Sequence, residues 1–167
     1  MTLGSKISAS RADTTAPFVS RRLISLAVFL VAVPWISPAS ADELLARVVA
    51  IADGDTITVL DSANRQHKIR LATIDAPERG QPFGTRCRDH LASTIYGQNV
   101  TVEWDKRDRY GRIVGQVFVF GRDTGLMQIE VGCAWHFKRY AEEQSEADQQ
   151  EYSDAEKRAR NAMRGLW

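Results

Sequence analysis

Short runs of alternating apolar residues, each closed by a turn signal, constrain the fold of this chain most. Residues 45–52 are rich in β-branched and apolar side chains and end at Asp53-Gly54-Asp55, a typical hairpin turn. Residues 56–60 and 67–71 then alternate polar and apolar side chains, with a polar turn between them. Strands at this spacing predict an antiparallel meander of three strands.

The second half of the chain predicts helices and two further strands. Cys87, Leu91 and Ile95 recur at the spacing of one helix face, and Gly165 is expected to end the last helix. Helices are predicted over residues 85–96, 126–131 and about 152–162, and strands over 100–104 and 113–120. This order predicts one β-barrel domain with helices: an OB-fold, a five-stranded Greek-key barrel with about three α-helices.

Residues 1–41 differ in composition from the rest of the chain. An apolar run over residues 23–36 follows Arg21 and Arg22 and precedes Ala39-Ser40-Ala41, a pattern that signal peptidases accept. The run contains a proline and is short of the roughly 20 apolar residues that cross a bilayer. We therefore expect a signal peptide, with an uncleaved anchor as the alternative. A mature domain over residues 42–167 is then exported, to the periplasm or the extracellular space.

The charge of the expected mature domain excludes one class of protein. The whole chain has 22 Lys+Arg and 21 Asp+Glu, but residues 42–167 hold 18 basic and 20 acidic residues. A slightly acidic domain does not coat nucleic acid by bulk charge. Any polyanionic ligand must therefore bind at a local site.

The two cysteines, Cys87 and Cys133, both lie in the expected mature domain. An even pair in an oxidising compartment is a possible disulfide, and two buried free thiols are the alternative. No Cys-x-x-Cys motif or histidine at ligand spacing accompanies them, which argues against a metal site at these residues.

Three polar clusters carry the chemistry of the sequence. They are Asp53-Gly54-Asp55-Thr56, the segment from Arg70 to Glu78, and Asp108-Arg109-Tyr110-Gly111-Arg112. Taken singly, each is an ordinary turn or loop. Together they supply arginines, whose guanidinium forks bind phosphate oxygens bidentately, and carboxylates, which bind hard divalent cations.

In order and spacing, these clusters closely resemble those of the thermonucleases, the staphylococcal-nuclease-like family. The resemblance covers about residues 44–167. It implies an OB-fold enzyme that depends on Ca²⁺ and hydrolyses the phosphodiester bonds of DNA and RNA without regard to the sugar. A stable membrane association after signal cleavage is not expected, and the enzyme is expected to be a monomer.

The resemblance also implies roles for individual residues. By motif position, Asp55 and Asp75 correspond to carboxylate ligands of the metal, and the main-chain carbonyl of Ala76 to a third ligand. Arg70 and Arg112 correspond to the arginines that clamp the phosphate, and Glu78 to the glutamate that acts as acid and base. Tyr110 and Tyr140 correspond to aromatic residues that line the nucleotide pocket.

Two other functions remain open at this stage. A non-catalytic OB-fold module that binds nucleic acid would share the fold, but it would tolerate the loss of Glu78 or of one arginine. Because all three residues are present, the sequence favours the enzyme. A secreted structural or interaction domain would show no activity linked to a metal.

Overall fold

The computed structural model of the protein describes residues 42–167, and the predicted signal segment at residues 1–41 lies outside this range. The elements in chain order are β1 (Asp42–Ile51), β2 (Thr56–Asp61), β3 (Gln66–Leu71), β4 (Ile74–Asp75), α1 (Gly84–Ile95), β5 (Asn99–Arg107), β6 (Ile113–Val119), β7 (Arg122–Asp123), α2 (Thr124–Glu130), β8 (Trp135–His136), a 3₁₀ helix (Lys138–Glu143) and α3 (Glu146–Asn161). None of the helices within residues 42–167 is long and apolar enough to cross a membrane.

Five strands form a closed barrel, as the sequence predicted. They pair in the order β3-β2-β1-β5-β6, with antiparallel neighbours, and β7 extends the sheet beyond β6. Parallel pairing between β6 and β3 closes the barrel and sets Ile69 opposite Ile113 and Leu71 opposite Gly115. A Cβ atom at position 115 would lie 2.6 Å from the main-chain oxygen of Glu103 on β5, so the packing of β6 against β5 requires glycine there.

Alternating side chains of the strands fill the barrel interior. In β6, every second residue from Ile113 to Val119 is buried. Helix α1 packs Cys87, Leu91 and Ile95 into the same core, as its helical spacing predicted. Full burial of an aliphatic side chain stabilises a fold by about 1.5–3 kcal/mol, so this interior provides most of the rigidity on which the site depends.

Several features of the fold differ from the sequence prediction. Strands β4 and β8 form a second, two-stranded sheet that was not predicted, because two residues are too few to show alternation. The prediction that Gly165 ends the last helix was wrong: α3 ends at Asn161 with Ala162 as its cap.

Gly165 instead has a packing role at the end of the chain. Its φ is positive, and a Cβ atom there would lie 2.1 Å from the main-chain oxygen of Gly132. The N–H of Leu166 donates to that same oxygen at 2.9 Å. Gly165 therefore allows the end of the chain to pack against the turn that follows α2.

Candidate active site

Asp55 lies immediately before β2 and is only 5% exposed. Its Oδ2 accepts a hydrogen bond from the N–H of Ala76 at 2.8 Å, and its Oδ1 accepts one from the hydroxyl of Thr56 at 3.0 Å. The neighbouring glycine makes this possible: a Cβ atom on Gly54 would lie 2.7 Å from the Cβ of Ala76. The local sequence thus brings the turn before β2 into contact with the segment that follows β4.

Arg70, on β3, connects two of the predicted metal ligands. Its Nη1 lies 2.7 Å from Oδ2 of Asp55, and its Nη2 lies 2.9 Å from Oδ1 of Asp75. Asp75 is half exposed, whereas Asp55 is buried. One guanidinium therefore spans both carboxylates, and the two acids converge as the motif order implied.

The environment of Asp55 makes its negative charge unfavourable. Burial and, to a smaller extent, the nearby Asp53 raise the pKa of Asp55, and the positive charge of Arg70 lowers it; the net pKa is about 7. The cost of a buried carboxylate falls when a cation lies beside it. The site is therefore electrostatically suited to a further positive charge.

The donor atoms at this site suit a hard divalent cation. The two carboxylates and the Ala76 carbonyl implied by the motif supply oxygen only, the ligand type that Ca²⁺ and Mg²⁺ prefer. Within residues 42–167, no group of three or more His, Cys, Asp or Glu side chains is placed to hold a metal ion. A cation here would therefore complete its shell with main-chain and water oxygens, which flexible Ca²⁺ coordination accommodates.

Arg112 is oriented by the turn that precedes β6. Its Nε lies 2.7 Å from Oδ2 of Asp108, and Oδ1 of Asp108 accepts the N–H groups of Tyr110 and Arg112. Burial acts to raise the pKa of Asp108, but the hydrogen bonds from Arg112 and these two amides lower it overall. Because the ion pair engages Nε, the terminal nitrogens of Arg112 are available to an anion.

A groove of about 590 Å³ brings the predicted phosphate and nucleotide residues together. Arg70, Arg112, Tyr110 and Tyr140 all line it. The ring of Tyr110 is 68% exposed and lies beneath the guanidinium of Arg109, 4.8 Å from its centre. Tyr140 packs edge-on against Phe137 at 5.3 Å. The groove thus combines cations with accessible aromatic rings, the combination that binds single-stranded nucleic acid.

Glu78 lies in the loop between β4 and α1, three residues after Asp75, and is exposed. Its N–H donates to Oε1 of Gln81 at 2.9 Å. In the described part of the chain, its carboxylate forms no ion pair with Arg70 or Arg112. The role of Glu78 as acid and base stays a prediction.

Cys87 and Cys133 are brought together behind the Asp55 turn. Both are buried and both thiols are free. A Cβ atom placed on Gly54 would lie 3.2 Å from the Cβ of Cys87, so this cysteine packs against the turn that carries Asp55. Neither cysteine lines the groove. A disulfide between them stays a prediction.

Sequence reasoning missed Gln128, a fully buried residue of α2. Its Nε2 donates to the main-chain oxygens of Gly54, at 2.9 Å, and of Cys87, at 3.2 Å. Its Oε1 shares a hydrogen bond with Nδ1 of His90. Gln128 therefore ties α2 to α1 and to the turn that carries Asp55. A polar residue on the inner face of a short apolar helix is the signal that could have found it.

The bridging role of Gln128 predicts the effect of Gln128→Leu. The substitution keeps the side-chain volume but leaves the buried carbonyl of Gly54 without its donor and removes the second hydrogen bond of the Cys87 carbonyl. We expect the free energy of unfolding to fall by about 1–3 kcal/mol in urea titrations. Gln150→Leu, on the exposed face of α3, is the matched control and should change stability by less than about 0.5 kcal/mol. Equal stabilities of the two variants would contradict the bridging role.

Comparison with known proteins gives the family. The family model described as "Staphylococcal nuclease homologue" matches residues 68–167. A micrococcal nuclease of Shigella flexneri is 41% identical over 158 residues, which cover 88% of this chain and 84% of that protein. An uncharacterized endonuclease of Escherichia coli is 38% identical over 154 residues, 88% of this chain and 90% of that protein. The chain belongs to the staphylococcal nuclease family, a family of hydrolytic nucleases.

Proposed function

We propose that this protein is an exported, Ca²⁺-dependent nuclease that hydrolyses the phosphodiester bonds of DNA and RNA without selecting the sugar. The observation that carries the proposal is the position of Arg70 and Arg112 on one groove, beside the convergent carboxylates of Asp55 and Asp75. Export is supported by the signal-like composition of residues 1–41. The enzyme acts as a monomer.

The proposed metal site uses the two carboxylates that Arg70 contacts and the main-chain carbonyl of the residue after Asp75. Asp55, Asp75 and the carbonyl of Ala76 would hold Ca²⁺, which supplies Lewis-acid stabilisation of phosphate oxygens when bound. Asp55 is the more buried of the two carboxylates, so its attraction for a cation is the less screened by solvent. Deprotonated Asp55 is the form that binds a cation.

The proposed chemistry depends on charge that is positioned before the substrate arrives. Attack of water on a phosphodiester increases the negative charge on the phosphate oxygens. Arg112 stabilises that charge through bidentate hydrogen bonds, and Asp108 fixes its orientation beforehand. Arg70, whose terminal nitrogens contact Asp55 and Asp75 in this structure, adds positive charge to the same groove. Glu78, close in sequence to Asp75 and exposed, accepts the proton of the attacking water.

The proposed lack of selectivity follows from the lining of the groove. Tyr110 and Tyr140 offer aromatic faces on which any base or sugar can stack, and Arg109 and Lys106 lie over these rings. Contacts of this kind hold the nucleic acid in place without forming hydrogen bonds to the edges of particular bases. Both DNA and RNA therefore fit the proposed site.

Digestion assays test the proposed function directly. Purified protein is incubated with plasmid DNA, single-stranded DNA and RNA in the presence of Ca²⁺, Mg²⁺ or a calcium chelator. We expect cleavage of all three substrates with Ca²⁺ and none after chelation. Binding of single-stranded DNA without cleavage, by protein shown to be folded, would instead identify a non-catalytic nucleic-acid-binding module.

Arg112→Ala tests the phosphate clamp. Removal of one preorganised donor to a charged transition state typically lowers kcat by about 10²–10³-fold, and we expect a loss of this size. Arg122→Ala, on the exposed strand β7 and away from the groove, is the matched control and should retain activity. Full activity of Arg112→Ala would remove this residue from the catalytic site.

Asp55→Asn tests the metal site. Asparagine keeps the shape of the side chain and an acceptor for the Ala76 N–H, but it removes the charge that attracts the cation. The Ca²⁺ concentration for half-maximal activity is expected to rise about tenfold or more. Asp154→Asn, on the exposed face of α3, should leave this concentration unchanged. An unchanged Ca²⁺ requirement in Asp55→Asn would exclude Asp55 as a ligand.

A further inference from the structure

The two cysteines join segments that are distant in the sequence. Cys87 lies in the first turns of α1, and Cys133 lies in the connection between α2 and β8. Cys133 lines a surface pocket together with Arg86 and His90, which lie one residue before and three residues after Cys87 on α1. The two cysteines therefore lie beside each other in the reduced protein, and each perturbs the pKa of the other.

The backbone holds the two cysteines in this arrangement independently of their thiols. The main-chain oxygen of Gln128 accepts a hydrogen bond from the N–H of Cys133 at 2.8 Å. The side-chain amide of Gln128 donates a hydrogen bond to the main-chain oxygen of Cys87 at 3.2 Å. One buried residue thus fixes both positions. The backbone therefore keeps the two cysteines close together before any bond forms.

The two cysteines differ in their access to solvent. Cys87 is completely buried, whereas Cys133 is 8% exposed and contributes to an open surface pocket of about 470 Å³. Arg86 and His90 line the same pocket. An external reagent can therefore reach Cys133 through this pocket, but not Cys87.

The charges around the pair also favour Cys133 as the nucleophile. The neighbouring thiol of Cys87 and the positive charge of Arg86 lower the pKa of Cys133, although burial opposes them. The pKa of Cys87 is raised by the neighbouring Cys133 and by burial. The thiolate, which is the attacking form, therefore forms first at Cys133.

We propose that Cys87 and Cys133 form an intramolecular disulfide by thiol–disulfide exchange with an external disulfide that enters the pocket at Cys133. The Cys133 thiolate attacks one sulfur of the external disulfide, which expels one thiolate and leaves a mixed disulfide on Cys133. Cys87 then gives its proton to the expelled thiolate and attacks the Cys133 sulfur, which releases the second half of the reagent. Two protein thiols are oxidised and one external disulfide is reduced to two thiols.

The bond would connect two segments on which the proposed active site depends. Helix α1 follows the loop that carries Glu78, and Cys133 lies two residues before Trp135, which pairs with Asp75. The cross-link closes the long loop that contains β5, β6 and α2. Constraint of so long a loop in the unfolded chain stabilises the native state. An oxidising compartment would therefore strengthen the fold around the site.

The first test uses the wild-type full-length protein, purified under reducing conditions and then incubated with oxidised glutathione. We expect the mass to fall by two hydrogen atoms and the thermal midpoint to rise by about 10 °C, and both changes to reverse with reductant. A folded protein that keeps two free thiols, or a midpoint that does not change on oxidation, would overturn the proposal. Neither measurement depends on nuclease activity, so failure here is distinct from failure of the proposed function.

The second test addresses the order of attack with matched single variants. In Cys87→Ser, the mixed disulfide with glutathione cannot be resolved and should accumulate on Cys133. In Cys133→Ser, the buried Cys87 should acquire glutathione at least about tenfold more slowly, as expected for a protected thiol of raised pKa. Far-ultraviolet circular dichroism checks that both variants are folded, and alanine replaces serine where one is not. Equal rates of glutathionylation would overturn the assignment of Cys133 as the attacking thiol.

Discussion

Closure of the barrel by the parallel pairing of β3 and β6 is the constraint on which the site depends. The two strands are far apart in the chain, and pairing sets Ile69 opposite Ile113. Arg70 and Arg112, one residue after and one residue before this pair, consequently reach the same groove. A register shift of one residue would exchange the inner and outer faces of either strand. The same register that fills the core therefore also determines the distance between the two guanidinium groups.

The buried carboxylate of Asp55 links stability to chemistry at this site. Arg70 and the N–H of Ala76 offset part of its desolvation cost. Removal of Arg70 would take away the positive charge that lowers the pKa of Asp55 and would leave this buried carboxyl without its ion-pair partner, which destabilises the fold. Loss of activity on substitution of Arg70 would thus have two causes. Arg112 gives the cleaner test of the clamp, because its partner Asp108 is partly exposed to solvent.

Local patterns predicted the barrel strands and α1 well. Each of these elements buries one face against the core, so its apolar residues repeat at every second position in a strand and at every third or fourth position in the helix. The structure also brought Asp55, Asp75 and Arg70 together, as the order of the motifs implied. The bridge from Gln128 to Gly54 was not predictable in this way. It joins residues 74 positions apart, and its donor lies in a helix whose sequence reveals nothing of its acceptor. Hydrogen bonds between distant segments need the tertiary structure, whereas alternation within one strand does not.

The distribution of charge explains how a slightly acidic domain can act on a polyanion. Residues 42–167 hold more acidic than basic residues, yet Arg70, Arg109, Arg112 and Lys106 all line one groove. Each phosphate contact releases about one counterion, so a few contacts give weak ground-state binding and a modest salt dependence. Tight binding of substrate and product would slow turnover, whereas positive charge concentrated at the reacting phosphate acts most strongly as negative charge develops there. A local cluster of arginines in an otherwise acidic domain therefore favours catalysis over retention of nucleic acid.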